Sequence, residues 1–192
     1  MQTSQNLRAE LKRCEALLTQ MRTSTSLEDL EDAWKNFLGR LERVWNKCDS
    51  HFSKSPKWNG WKGRYEPQRK RDPLLAYLVN ARGADEHTVA DIVEKKPDSI
   101  EITAGPSGFA YIQQLMVGPA GIAFEGDGTI KVAFHPARVL LLPIVNRGRT
   151  YPVPSEHLGK PYSDTSVVHL ASLGLDFYRT VVTAAESHFV KV

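Results

Sequence analysis

Apolar residues in the first fifty positions recur at helical spacing. Leu7, Leu11, Cys14, Leu18 and Met21 step by four, three, four and three, which predicts one amphipathic helix from about Gln5 to Met21. The polar run Thr23-Ser24-Thr25-Ser26 ends it, and Thr25 followed by Glu28 has the spacing of a capping box for a second helix. That helix is expected over about Ser26 to Phe52. Leu27, Leu30, Trp34, Phe37, Leu41, Val44 and Cys48 form its stripe, Leu38, Trp45 and Phe52 widen it, and Asp32, Lys35, Glu42, Arg43 and Lys47 take the opposite face. Helices joined by so short a polar link pack antiparallel.

Beyond Ser53 the pattern breaks, because Pro56, Gly60, Gly63 and Pro67 interrupt any continuous helix. A third helix is expected from Asp72, a suitable N-cap, with Pro73 at its first position. Leu74, Leu75, Leu78, Ala81, Val89, Ile92 and Val93 carry its stripe to about Lys95, and Pro97 stops it. From Ile100 to Asn146 the period becomes two. Ile100 to Thr103, Phe109 to Val117, Gly121 to Glu125, Thr129 to Phe134 and Arg138 to Val145 read as strands of a small, mainly antiparallel sheet, with Gly126-Asp127-Gly128 turning one hairpin. A proline-rich connection, residues 147–164, leads to a last helix ending near Phe189, apolar on so wide a surface that burial on two sides is implied.

The expected fold is therefore α+β and mainly helical: an antiparallel four-helix bundle with a small antiparallel β-sheet insertion before the C-terminal helix. The helical bundle covers residues 1–97 and includes a basic loop at 53–72. The β-rich insertion covers 98–150, and 151–192 hold the connection and the helix that returns to the bundle. A two-domain split near residue 98 is the alternative.

Composition narrows the class. The chain has 192 residues, 24% charged and 9% aromatic, which fits one sizeable globular core. No apolar run approaches the roughly 18 residues of a membrane span. The polar stretch Met1 to Arg8 lacks a signal-peptide core, so a cytoplasmic protein without membrane association is expected. Cys14 and Cys48, both on apolar stripes, read as buried free thiols. The chain totals +3, but residues 54–71 hold seven basic residues against one acid, +6 for that segment and −3 for the rest. Lys57, Trp58, Trp61, Lys62, Arg64, Tyr65, Arg69, Lys70 and Arg71 interleave cations with aromatic rings. That combination suits the phosphates and unpaired bases of a single-stranded nucleic acid, with a packed loop end as the alternative.

The third helix carries Arg82-Gly83-Ala84-Asp85-Glu86-His87. An Arg and a His at this spacing, on a helix of a helical bundle, resemble the HEPN superfamily, many of whose members are metal-independent ribonucleases. The resemblance covers the bundle outline and this motif, not the β region. It implies an RNA-directed protein, an endoribonuclease of toxin or defence type without a cofactor. Arg82 would neutralise the scissile phosphate, and His87 would act on the 2′-hydroxyl or the leaving group. The family's small polar residue after the Arg is here Gly83. The chemistry needs a proton carrier near neutral pH and a cation for the phosphoryl oxygens, which His and Arg supply. Five residues of helix rotate by about 500°, leaving the two side chains about 140° apart and roughly 7.5 Å along the axis. Convergence thus requires a distortion at Gly83 or a site shared across a homodimer. In the opposite reading, Arg82 pairs with Asp85 and Glu86 on a solvated helix face.

Other chemistry finds little support. His51, His87, His135, His157, His169 and His188 form no paired metal motif, and Asp85, Glu86, His87 and Asp91 could supply two ligands from one face. Gly105-Pro106-Ser107-Gly108 is too short for a phosphate loop. Phe109, Tyr111, Phe124 and Phe134 read as sheet core, with an aromatic ligand groove as the alternative. The runner-up function is a non-enzymatic protein-interaction or regulatory module with a protein partner.

Overall fold

The computed structural model describes residues 2–87, 90–105, 108–109, 111–118, 121–127 and 130–190, and the side chains of residues 2–5, 87, 117, 122, 124 and 127 lie outside the description. The described chain is α+β. Its helices begin with α1 (Gln2–Thr23), α2 (Leu27–Phe52), α3 (Trp58–Lys62), α4 (Glu66–Arg71) and α5 (Pro73–His87). Strands β1 (Val93–Lys96), β2 (Ser99–Ala104), β3 (Tyr111–Gly118), β4 (Gly121–Asp127), β5 (Ile130–His135), β6 (Arg138–Leu141), β7 (Ile144–Asn146), β8 (Arg149–Tyr151), β9 (Glu156–His157) and β10 (Lys160–Pro161) follow, and α6 (Val167–Phe189) closes the order. Two compact units result: Met1–Lys95 with Val139–Val192, and Lys96–Arg138.

In the first unit the long helices α1, α2 and α6 pack on one another, and α5 packs on α2 and α6. Ion pairs fix the register. Arg8 to Glu186 and Arg179 to Glu15 run α1 antiparallel to α6. Glu10 of α1 reaches Arg40 and Lys47 of α2. The stripes predicted from the sequence form the core: Leu7, Cys14, Trp34, Phe37, Val44, Leu170, Ala171 and Ala185 are all fully buried. At Gly174 the helices approach so closely that a Cβ would lie 2.5 Å from Leu78 Cδ1. Ser26, rather than Thr25, caps α2, accepting from Asp29 N at 3.0 Å. Ser166 caps α6 in the same way.

Three expectations change. The third helix is described to His87, Val89 of its expected stripe lies outside the described residues, and Val93–Lys96 form a strand where the helix was expected to run on to Lys95. Ile92 and Val93 are buried, Val93 as the first residue of strand β1, which pairs with β6, and Ile92 just before it, its O accepting from Leu142 N. These β-branched residues satisfy either period, and the cross-strand partner decides. Second, the interrupted segment after Ser53 contains two short helices, α3 and α4, separated at Gly63 to Tyr65. Third, the described strands form two-stranded ladders rather than one sheet.

The second unit is a β-ribbon. β2 pairs antiparallel with β5 from Ser99↔His135 to Ala104↔Ile130, and β3 pairs with β4 from Tyr111↔Asp127 to Gly118↔Gly121, with a bulge between Ile112 and Gln114. The hairpin is therefore β3–β4. The expected turn at Gly126-Asp127-Gly128 does not close one: Gly126 pairs within the ladder, and Gly128 lies outside the described residues. Gly121, at φ +117°, takes a backbone region that only glycine enters freely.

Candidate functional site

Arg82 opens onto a polar cleft of about 300 Å³ between α2 and α5, lined by Lys35, Asn36, Gly39, Arg40, Arg43, Arg82, Asp85 and Glu86. Residues four apart share a helix face, so Lys35, Gly39 and Arg43 form one row and Asn36 and Arg40 the next. Gly39 leaves the floor open, since a Cβ built there meets nothing within 4 Å. Four cations face two acids. Lys35 Nζ lies 2.8 Å from Glu31 and 3.5 Å from Asp85, and the hydrogen bond to Glu31 holds its amine above the usual lysine range. Arg82 Nη2 pairs with Glu86 at 2.8 Å, the charge pair that the sequence spacing allowed. Its Nε is buried and has no hydrogen-bond partner. Arg43 is exposed and makes no ion pair among the described residues.

Arg40 also belongs to a second array. Glu10, 1% exposed, accepts from Arg13 at 2.7 Å, Lys47 at 2.7 Å and Arg40 at 3.3 Å. Burial alone would raise its carboxyl, but the Lys47 hydrogen bond and the three positive charges outweigh it and hold the pKa below the usual range.

The side chain of His87 lies outside the described residues, so the described geometry neither joins it to Arg82 nor separates it. Gly83 sits within helix α5, and the space its missing side chain leaves is taken by Asn146. The Asn146 amide, which donates to Asn80 Oδ1 at 3.0 Å, would lie 2.6 Å from a Cβ at Gly83.

The basic aromatic segment is divided by the fold. Trp58 and Trp61 are buried, at 1% and 6% exposure, and stack on each other 5.1 Å apart, against Phe189. Tyr65 is half-buried on Trp61. These rings close the end of the helical core, so Trp58 and Trp61 are packed rather than presented for base stacking. Lys62 pairs with Asp49, which also accepts from Trp58 Nε1 at 2.7 Å. Arg69 is enclosed: it bonds Glu42 at 2.6 Å and the Tyr178 hydroxyl at 2.8 Å, and lies 4.2 Å over the Trp45 ring. Lys57, Arg64, Lys70 and Arg71 remain exposed. Two tryptophans three residues apart amid glycine and proline fit packing as well as stacking; a core made by α6, more than a hundred residues later, settles which.

Asp72 fills the N-cap role at α5, accepting from Leu75 N at 2.9 Å. It does more than the sequence suggested. Its other contacts come from the β9–β10 hairpin: His157 Nδ1 donates to Oδ1 at 2.9 Å and Leu158 N to Oδ2 at 2.6 Å. Leu158 has φ +50°, a strained region for a branched side chain. Burial would raise the Asp72 carboxyl, but these hydrogen bonds win and lower it. Among the described residues no group of three His, Cys, Asp or Glu side chains is placed to hold a metal ion, and no helix is long and apolar enough to cross a membrane. Cys14 and Cys48 are buried, and burial pushes each thiol up to about 12. Phe109, Tyr111 and Phe134 do not form a sheet core: they are exposed, and the Phe124 side chain lies outside the described residues.

Sequence reasoning missed Asn36, Gly39 and Arg40. Their signal was present as spacing along α2, but only α5 packed beside it makes a cleft. Compared with protein-family models, curated proteins and solved structures, the chain matches none.

Proposed function

We propose that the helical unit is RNA-directed and that it holds phosphate groups of RNA in the cleft between α2 and α5. One observation carries this reading. Lys35, Arg40, Arg43 and Arg82 surround an open floor at Gly39, with Arg82 Nε lacking an acceptor. Guanidinium groups bind phosphate oxygens in pairs, and Arg43 is exposed and outside any ion pair among the described residues. In this reading the binding surface moves from the 57–71 segment to α2 and α5. If the HEPN resemblance extends to activity, Arg82 neutralises the scissile phosphate and His87 carries the proton. The spacing on α5 then requires His87 of a second copy.

Fluorescence anisotropy with a single-stranded RNA tests the binding. Arg82→Ala and Arg43→Ala should each weaken it about tenfold or more, the strength of a charge-assisted hydrogen bond. Lys57→Ala and Arg64→Ala should change it about twofold or less. Equal binding by wild type and the cleft variants refutes the site. Cleavage in EDTA by wild type, lost in Arg82→Ala and in His87→Ala, tests the ribonuclease.

A second reading, a non-enzymatic protein-interaction module, is favoured by a different observation. Seven of the ten large hydrophobic residues exposed among the described residues fall within the β-ribbon. A dominant role of this kind predicts wild-type function in cells for Arg82→Ala.

A further inference from the structure

A pocket of about 280 Å³ opens in the helical unit where α4, the β9–β10 hairpin and α6 meet. Its walls are apolar, formed by Tyr65, Leu158, Leu173 and Phe177. Tyr65 stands edge-on to Phe177, with ring centroids 6.3 Å apart and planes at 73°, so the two rings make a corner. Small-molecule sites are largely apolar cavities with a few fixed polar groups, and this volume suits a ligand of one ring.

His157 is the fixed polar group. It lines the same pocket with a side chain 12% exposed, and its ring stands edge-on to Phe177 at 6.2 Å. Its Nδ1–H is committed to the buried Asp72 carboxylate. That bond sets the orientation of the ring and its tautomer, and it leaves the lone pair of the neutral imidazole on Nε2. Nε2 has no hydrogen-bond partner among the described residues, and unlike His169 Nε2 it is not sealed from solvent. Asp72 also takes the N–H of Leu158, whose side chain stays 49% exposed beside the pocket. One buried carboxylate thus holds an unpartnered acceptor and an apolar wall in place together.

We propose that this pocket binds a small, neutral aromatic compound bearing a hydroxyl group, its ring in the apolar corner and its O–H donated to His157 Nε2. The pocket shares no lining residue with the cleft between α2 and α5 and does not depend on the RNA reading.

Charge selects this class. No Lys or Arg lines the pocket, so a phosphate or carboxylate would find no cation there. Its one acid, Asp176, is already paired with Arg179, and an ammonium group would lose its water against apolar walls. A neutral hydroxyl satisfies the Nε2 lone pair, and a flat ring packs well into the corner of two perpendicular ones.

Isothermal titration calorimetry of the full chain with p-cresol, its methyl ether and benzylamine tests this. Wild type should bind p-cresol with a dissociation constant of about 1 mM or below. The methyl ether, which has no O–H to donate, should bind about fivefold or more weakly. His157→Asn can still offer an amide N–H to Asp72 but has no atom at the Nε2 position, so it should erase the difference between the two compounds. Since His157→Asn could loosen the hairpin, Thr180→Trp provides a second variant. Thr180 is an exposed residue of the pocket, and tryptophan there should close it and abolish binding of both compounds without touching the Asp72 bond. No saturable binding of p-cresol, equal binding of p-cresol and its ether, a preference that survives His157→Asn, binding intact in Thr180→Trp, or tighter binding of benzylamine overturns the proposal.

Discussion

Replacing Asp72 by alanine should destabilise the helical unit far more than the loss of one helix cap. A cap alone is worth about 1 kcal/mol. Asp72 Oδ1 also takes the His157 Nδ1–H, and Oδ2 takes the Leu158 N–H at 2.6 Å, both onto a carboxylate that is 5% exposed. Hydrogen bonds to a charged group contribute about 1.5–3 kcal/mol each, and these two share one anion and so do not add fully. The expected loss is about 3–5 kcal/mol, or roughly 10 °C in melting temperature for a chain of this size. His157→Ala should lose about 1–2 kcal/mol, and the double variant should fall short of the sum of the two losses. The sign with pH follows from the lowered carboxyl. Its stabilisation is complete above the unfolded value near 4 and fades as pH falls through the lower folded value, so the gap between wild type and Asp72→Ala should shrink in acid. Urea unfolding followed by circular dichroism at neutral pH and at about pH 3 reads both quantities. A loss under about 1 kcal/mol at neutral pH would show that the hairpin is held elsewhere and refute the reasoning.

Three further outcomes are expected. Trp58→Ala should cost about 3–5 kcal/mol in denaturant unfolding, since the ring is buried among Phe52, Trp61 and Phe189 and its Nε1 bonds Asp49; a surface residue would show within about 0.5 kcal/mol. Glu10→Gln should lower stability by about 1–3 kcal/mol at neutral pH, with a smaller difference below the usual carboxylate range, as measured by thermal melts at two pH values. Cys14 and Cys48 should resist a colorimetric thiol reagent near pH 8 in the folded protein and react in denaturant, because burial keeps both protonated.

Most of the helical unit was legible because its signal is local. The stripes of α1 and α2, the Asp72-Pro73 start and the wide apolar surface of α6 each follow from spacing within one segment. The misreadings share one cause: the deciding partner is distant in sequence. Ile92 and Val93 fit helix or strand until β6 arrives, and Trp58 and Trp61 fit stacking or packing until α6 covers them. The hairpin at Gly126 was misplaced because two glycine-rich turns compete, and the ladder registers decide between them. Of the candidate site, Arg82 was found through its motif. The α2 side chains facing it were seen only as a polar face, since no spacing rule announces which helix will pack alongside.

The pairing of β1 with β6, with Ile92 O bonded to Leu142 N, has an entropic consequence. The helical unit is discontinuous, and its folding must close a loop of about forty residues between two neighbouring points. Loop-closure entropy grows only with the logarithm of length, so exchanging residues 96–138 for a four-residue link should gain about 2 kcal/mol. The ribbon thus adds a closure cost to the unit that hosts it, which contacts within residues 1–95 and 139–192 offset.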